Sequence, residues 1–197
     1  MRNYHKDVGC PKLALQVDLM KAFDMMDWGF LLENLATFHF PPRVIIWIKD
    51  CLLQGDPMSL YLFVIATEVL SKILAKRIEN SLSFKFHWKC DKIKLSHFFF
   101  TDDLIMLCHG SLSSALVLKA ALDEFYLLSG LHANHAKSNI FTSSLSSTIT
   151  YQLINLFGYT VGSLPIHYLG IHIISTRLCV RDCSPLVDKV SGRLTSC

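Results

Sequence analysis

The pattern of apolar and polar residues predicts one strand followed by three helices in the first part of the chain. A short, continuous apolar run is typical of a buried strand, whereas apolar residues spaced three or four apart indicate a helix with one buried face. The chain begins with the first pattern and then changes to the second. The predicted elements are a strand over 12–19 and helices over 28–38, 43–53 and 57–78.

The residues at the ends of the predicted helices support these boundaries. Asp27 suits the N-cap of the first helix, and Pro41-Pro42 ends it. Asp56 suits the N-cap of the third helix, and Pro57 suits its first helical position. The first part of the chain therefore reads as a strand, a turn and a series of helices.

In the second part of the chain, apolar residues at every second position predict strands in addition to helices. Residues 84–91 alternate between apolar and polar, which predicts a strand with one basic face in water. Two apolar runs on either side of Thr101-Asp102-Asp103 predict a hairpin, and a helix follows from Ser113 or Ser114. Residues 138–176 contain no Asp, Glu, Lys or Arg and predict strands and short helices. The fold class is α+β.

Composition excludes several classes of protein. Among the 197 residues, 51% are hydrophobic and 18% charged, which excludes a disordered or collagen-like chain. No run of about eighteen apolar residues exists, so a membrane span is not predicted. The N-terminal residues 1–7 precede no apolar stretch, so we expect an intracellular protein, nuclear or cytoplasmic and not secreted. The net charge of +3 permits a polyanionic partner without requiring one.

Zinc is not predicted. The seven cysteines are scattered and form no Cys-x-x-Cys, which argues against a disulfide framework or a four-cysteine zinc site. The histidine pairs His132/His135 and His167/His172 have no cysteine or acid nearby, and such histidines are more often structural.

Two groups of aspartates are the candidate catalytic residues. Asp102 and Asp103 are adjacent carboxylates that repel each other unless a cation or solvent relieves them, although an ordinary solvated turn would also explain them. Asp18 ends the first strand, where it could equally be a cap or a surface acid. If the two strands are neighbours, Asp18 and Asp102 converge and suit Mg²⁺ and phosphoryl transfer.

Two further segments could contact a polyanion. In Gln54-Gly55-Asp56-Pro57 the glycine permits a close backbone approach and the following helix offers its N-terminal amides, although an ordinary junction between a loop and a helix looks the same. The predicted strand from residue 84 carries lysines interleaved with aromatic residues, and its basic face could bind a nucleic-acid backbone or merely face water. These lysines are Lys85, Lys89, Lys92 and Lys94.

In this order, these motifs resemble the reverse transcriptase domain of non-long-terminal-repeat retrotransposons, and most of all the LINE-type elements of plant genomes. The resemblance covers nearly the whole chain. The matching segments are Leu15–Asp24, Gln54–Pro57, Phe100–Asp103, Ser129–Ser138, Tyr168–Gly170 and Pro185–Lys189.

The resemblance implies the palm of a right-hand polymerase, an antiparallel sheet backed by helices. Its three metal-binding catalytic aspartates would be Asp18, Asp102 and Asp103, which would hold Mg²⁺ or Mn²⁺. The implied reaction is a two-metal transfer of deoxynucleotides onto a primer 3′-hydroxyl. The implied partners are an RNA template, a DNA primer and deoxynucleoside triphosphates, with no membrane; the oligomeric state is left open.

The resemblance also implies roles for residues that would touch the nucleotide. Phe23 would be the steric gate that selects deoxynucleotides, although a core aromatic is the alternative. Gln54 and Gly55 would contact the template and the nascent base pair. Lys137 would lie near the incoming triphosphate as a proton donor to pyrophosphate.

The chain departs from the family pattern in four places. Leu53 directly precedes Gln54, where relatives have a segment long enough for a β-hairpin, so we expect an internal deletion. Seventeen residues precede Asp18, so the fingers are expected to be largely missing. We expect residues 1–176 to form a partial palm and residues 177–197 the start of a truncated thumb or connection. Thr101 also stands where relatives more often have alanine.

These departures motivate two alternatives to a working polymerase domain. The first is a catalytically inactive retrotransposon remnant that at most binds nucleic acid through its basic strand. The second is an unrelated Mg²⁺-dependent phosphohydrolase that uses the same acids. Incorporation of nucleotides, binding without incorporation, and phosphate release without a primer distinguish the three hypotheses.

Overall fold

A computed structural model describes residues 9–19, 25–51, 59–100, 103–163, 166–168 and 171–173, together with positions 184 and 191. Within these ranges the chain forms helices and two β-sheets. The strands are β1 (Lys12–Asp18), β2 (His97–Phe100), β3 (Asp103–His109), β4 (Asn139–Ser143), β5 (Thr160–Val161), β6 (Ile166–Tyr168) and β7 (Ile171–Ile173). The α-helices are α1 (Trp28–Thr37), α2 (Pro42–Cys51), α3 (Ser59–Glu79), α4 (Leu112–Ser129) and α5 (Ser147–Phe157).

The main sheet has five strands in the order β2-β3-β1-β4-β5. Strand β1 lies in its centre and pairs antiparallel with both β3 and β4, while β5 runs parallel to β4. Omitting α1 and α2, the order β1-α3-β2-β3-α4-β4 is that of a split βαβ motif. The mixed α+β class predicted from the sequence is confirmed.

Helices cover one face of this sheet. Alternate residues of a strand point to opposite faces, so β1 gives Leu13, Leu15 and Val17 to the helical side. These three side chains are buried in one core cluster with residues of α3 and α4. The buried helical residues of that cluster include Leu70, Leu74, Leu118, Leu122 and Phe125.

The opposite face of the sheet carries a smaller apolar cluster and the acidic residues. Ala14 of β1 packs there with Ile105, Leu107 and Phe141, and Cys90 packs against this cluster. By the same alternation, Asp18 and Asp103 belong to this second face. We call it the open face, because the described helices α3 and α4 pack on the other side.

Most of the predicted boundaries are confirmed. The Asp27 carboxylate accepts a hydrogen bond of 3.1 Å from the Phe30 N–H and so caps α1. Strands β2 and β3 pair as an antiparallel hairpin, with Phe100 opposite Asp103. Helix α4 begins at Leu112, one or two residues earlier than predicted, and Ser111 is its N-cap. The predicted cap Asp56 and Pro57 lie outside the described residues.

The predicted strand over residues 84–91 is wrong. These residues form an irregular segment with turns, followed by a short 3₁₀ helix at Asp91–Ile93. His87 is 5% exposed and Trp88 is 45% exposed, which reverses the predicted alternation. The backbone instead turns on itself, because the Cys90 N–H donates to the His87 carbonyl at 2.8 Å. A short alternating pattern cannot reveal such a local hydrogen bond.

None of the helices in the described part of the chain is both long enough and apolar enough to span a membrane.

Candidate functional site

Two of the three predicted carboxylates meet where β1 ends and β3 begins. Asp18 and Asp103 are directly opposite each other in the antiparallel register. Directly opposed residues lie about 5 Å apart at Cα, and like charges in this position are destabilising. Asp102, which immediately precedes β3, lies outside the described residues. Two opposed carboxylates at strand ends fit a hard divalent cation, because Mg²⁺ binds through one or two carboxylates plus substrate phosphates.

A lysine accompanies this carboxylate pair. The Lys137 ammonium nitrogen lies 3.9 Å from the Asp18 Oδ2 atom, and the Lys137 side chain is 70% exposed against 19% for Asp18. The contact is at the outer limit of an ion pair, so it holds Lys137 only loosely. The ammonium group can therefore reach a second anion near Asp18.

The backbone of Asp18 is fixed by the loop that follows α4. The Asp18 N–H donates to the Ser138 hydroxyl at 3.2 Å, and the Asp18 carbonyl accepts from the Asn134 N–H at 2.7 Å. Ser138 is fully buried. The sequence predicts no separate role for Ser138, and its place beside Lys137 is the only signal that points to this one. Both hydrogen bonds set the direction in which β1 presents its last carboxylate.

A glycine directs that loop toward β1. Gly130 ends α4 with a φ of +71°, a left-handed conformation in which glycine is unstrained. A Cβ at this position would also lie 3.0 Å from the Met25 carbonyl oxygen. Gly130 therefore allows the chain to leave the helix in the direction that brings Lys137 to Asp18.

Several predicted site residues fall outside the described part of the chain. These are Phe23, Gln54, Gly55 and Asp102. Among the described residues, no three His, Cys, Asp or Glu side chains form a group that could hold a metal ion. The carboxylate pair of Asp18 and Asp103 is thus the part of the predicted metal site that the described residues supply.

The predicted basic residues lie away from the carboxylates. The Lys85 carbonyl accepts a hydrogen bond of 2.9 Å from the His109 N–H, and His109 pairs with Lys12 at the far end of β1. Six residue steps separate Lys12 from Asp18, or about 20 Å of strand. Lys85 therefore marks a second location, at the opposite end of β1 from the carboxylate pair, and the other three lysines follow it in the same segment.

Positive charge affects the histidines at this second location. The pKa of His87 lies below its ordinary value, first because the ring is buried and then because Lys12 and Lys89 are close. The pKa of His109 is lowered by burial and by Lys85. Both shifts disfavour a further positive charge, as expected beside a concentration of lysines.

The sequence was compared with protein-family models and with curated proteins. The model described as "Reverse transcriptase (RNA-dependent DNA polymerase)" matches residues 2–173. The search of curated proteins found no match. The matched region includes the carboxylate pair, the loop that carries Lys137 and the basic segment.

Proposed function

Because the chain belongs to the reverse transcriptase (RNA-dependent DNA polymerase) family, we propose that it extends a DNA primer with deoxynucleotides on an RNA template. The observation that carries this proposal is the register of β1 and β3, which sets Asp18 opposite Asp103, the residue that follows Asp102 in the chain. Carboxylates held together in this way would hold the divalent ions that assist nucleotide transfer.

Asp18, Asp102 and Asp103 would hold Mg²⁺ or Mn²⁺ in this proposal. When bound, divalent ions supply activation of the attacking 3′-hydroxyl and stabilisation of the charge on the leaving pyrophosphate. The protein presents the Asp18 carboxylate in a fixed direction, because Asn134 and Ser138 hold the backbone on either side of that residue. Lys137 adds a positive charge that can approach the phosphates.

Three further residues would contact the substrates. Phe23, five residues after Asp18, would lie against the sugar of the incoming nucleotide and exclude a 2′-hydroxyl. Gln54 and Gly55 would contact the template and the nascent base pair. Motif order supports these roles.

The finer classification is also a proposal. The order of the motifs and the residues within them support a LINE-type, non-long-terminal-repeat element of plant origin. Residues 1–176 would then correspond to the palm, and residues 177–197 to the start of the thumb or connection. The direct junction of Leu53 with Gln54 supports an internal deletion between α2 and α3.

Primer extension tests the proposed function directly. We expect the chain to add dTMP to an oligo(dT) primer on poly(rA) with Mg²⁺ or Mn²⁺, and to stop when EDTA is added. Products are resolved by length on a denaturing gel. Absence of extension from a chain shown to be folded by circular dichroism would contradict the proposal. Salt-dependent binding of the primer–template without extension would then favour the inactive remnant.

Replacement of Lys137 should distinguish the effect of its positive charge from its role as a proton donor. We expect Lys137→Gln to lower the rate of single-nucleotide incorporation by about a hundredfold, the usual contribution of a general acid. Lys137→Arg keeps a positive charge near Asp18 but cannot release a proton at neutral pH. It should therefore restore the KM for the nucleotide and leave kcat low.

The matched control for this pair is Lys76→Gln, which removes an exposed lysine from α3. This variant should incorporate nucleotides at the parent rate. Full kcat in Lys137→Arg would contradict proton donation by Lys137.

A further inference from the structure

One short segment carries a net charge equal to that of the whole chain. Residues 84–95 contain four lysines and one aspartate, which gives the segment the same net charge of +3 as the whole chain. The remainder of the chain is therefore neutral overall. Such a concentration attracts a polyanion to one place on the surface rather than to the molecule in general.

The segment is held in a defined conformation. At its start, the Lys85 N–H donates to the Ser114 hydroxyl at 3.0 Å and the Lys85 carbonyl accepts from the His109 N–H. At its end, the Ser96 carbonyl accepts from the Leu107 N–H at 2.7 Å. Between them, Cys90 packs on the apolar cluster of the open face. A ligand would therefore meet a surface that is already formed. Binding would lose little free energy to ordering this segment.

An aromatic side chain stands among these charges. Trp88 is 45% exposed, and its indole stacks on the buried His87 ring at a centroid distance of 6.4 Å and an interplanar angle of 28°. The Lys89 ammonium lies 4.8 Å from the indole centroid. The exposed part of an indole that is fixed in this way can stack on an unpaired base.

The segment and the carboxylate pair share one face of the sheet. Ala14, against which Cys90 packs, lies on the same face of β1 as Asp18. The Lys12 end of β1, beside which Lys85 lies, is about 20 Å along the strand from Asp18. The sheet residues between these places, such as Ala14 and Ile105, are buried. A nucleic acid that spans this distance could touch both places.

We propose that residues 84–95 form a second nucleic-acid contact, which binds single-stranded RNA or DNA by stacking a base on the exposed part of Trp88 and pairing phosphates with Lys85 and Lys92. Lys89 and Lys94 belong to the segment, but the Lys89 ammonium lies over the Trp88 indole and the Lys94 ammonium is engaged at 2.8 Å by Asp91. The contact lies up to about 20 Å from the carboxylates. Its use during polymerisation rests on the proposed polymerase function, whereas binding itself does not.

A single strand suits this surface better than a duplex or an acidic peptide. Duplex bases are stacked on one another, so their faces are not available to Trp88, and an acidic peptide has no base to stack. Single-stranded sites combine a basic path with stacking aromatics, and this is the combination that the segment offers.

The test measures binding without catalysis. The full chain in EDTA is titrated with fluorescein-labelled (dT)₁₂ and (rU)₁₂, and both anisotropy and intrinsic tryptophan fluorescence are recorded. EDTA and the absence of a primer–template junction make the result independent of polymerase activity. We expect Trp88→Ala to weaken binding by about tenfold or more, and Trp88→Phe to keep most of the affinity but lose the fluorescence quench.

A second tryptophan supplies the matched control. Trp47 on α2 is 65% exposed and lies outside the segment, so Trp47→Ala should bind as the parent does. Lys85→Gln with Lys92→Gln should reduce the slope of log K against log salt by about 1.4, since each single-strand phosphate contact contributes about 0.7. Lys49→Gln with Lys76→Gln removes the same charge elsewhere and should leave the slope unchanged.

Three results would overturn the proposal. The first is parental affinity in Trp88→Ala, and the second is an equal salt slope in the two double-lysine variants. The third is a loss of duplex or poly-glutamate binding in Trp88→Ala as large as the loss of single-strand binding, which would assign the surface to another class of partner. Failure of primer extension alone leaves these measurements intact.

Discussion

Asp18→Asn should abolish primer extension while the domain stays folded. The substitution keeps the size of the side chain and removes the charge that would bind a divalent ion. We expect incorporation to fall at least a hundredfold, about the effect of losing one preorganised charged contact to a transition state. The backbone bonds of Asp18 to Asn134 and Ser138 do not involve its carboxylate, so they remain.

Stability should change little in this variant. The substitution removes the repulsion between Asp18 and Asp103, which face each other across the strand pair, and it also removes the contact of 3.9 Å between Asp18 and Lys137. Extension rates and urea midpoints of the parent and of Asp18→Asn measure the two effects on the same preparations. Loss of activity with an unchanged or higher midpoint assigns Asp18 to the reaction rather than to the fold.

The matched control is Asp50→Asn, which removes an exposed carboxylate from α2. It changes the net charge by the same amount at a position outside the proposed site. Parental extension rates are expected. Equal extension by Asp18→Asn and the parent would refute the assignment of Asp18 as a metal ligand.

Phe125→Ala should destabilise the protein by about 3–5 kcal/mol, the usual cost of replacing a buried aromatic by alanine. Phe125 is fully buried in the core cluster between the sheet and its helices. Its ring packs edge-on against Phe30 of α1, with centroids 6.4 Å apart. Truncation would leave a cavity where α1 and α4 meet.

Urea unfolding followed by circular dichroism measures this effect. A small domain is stable by only about 5–15 kcal/mol, so the midpoint should fall strongly while the slope with urea stays the same. Leu127→Ala is the control on the same helix, because Leu127 is 86% exposed and should change the stability by less than about 0.5 kcal/mol. Similar midpoints for both variants would contradict the position of α4 in the core.

The sequence by itself determined most of the elements that form the core. The apolar stripe of α3 and the apolar runs of β1 and β3 are repeated patterns with a clear period, and burial follows the period directly. Caps such as Asp27 act through hydrogen bonds to residues three positions away, so they too are visible in the sequence. The motifs also identified the family, which the match over residues 2–173 shows.

Sequence periodicity failed where local hydrogen bonds outweighed a short pattern. Residues 84–91 alternate as a strand would, but the turn between His87 and Cys90 places Trp88 outward and His87 inward. A pattern of about eight residues carries little free energy compared with a set of backbone hydrogen bonds and contacts to other elements. The basic residues were therefore identified correctly but assigned to the wrong structure.

Only the tertiary structure decided which residues come together. Asp18 and Asp103 are 85 positions apart, and their meeting depends on the register of β1 with β3. The contact of Lys137 with Asp18 depends in turn on where the loop after α4 crosses the end of β1. Register and crossing are set by the packing of side chains from distant segments, so no local pattern encodes them. The sequence supplied the carboxylates, the lysines and the aromatic residues, and the sheet set the distance between them.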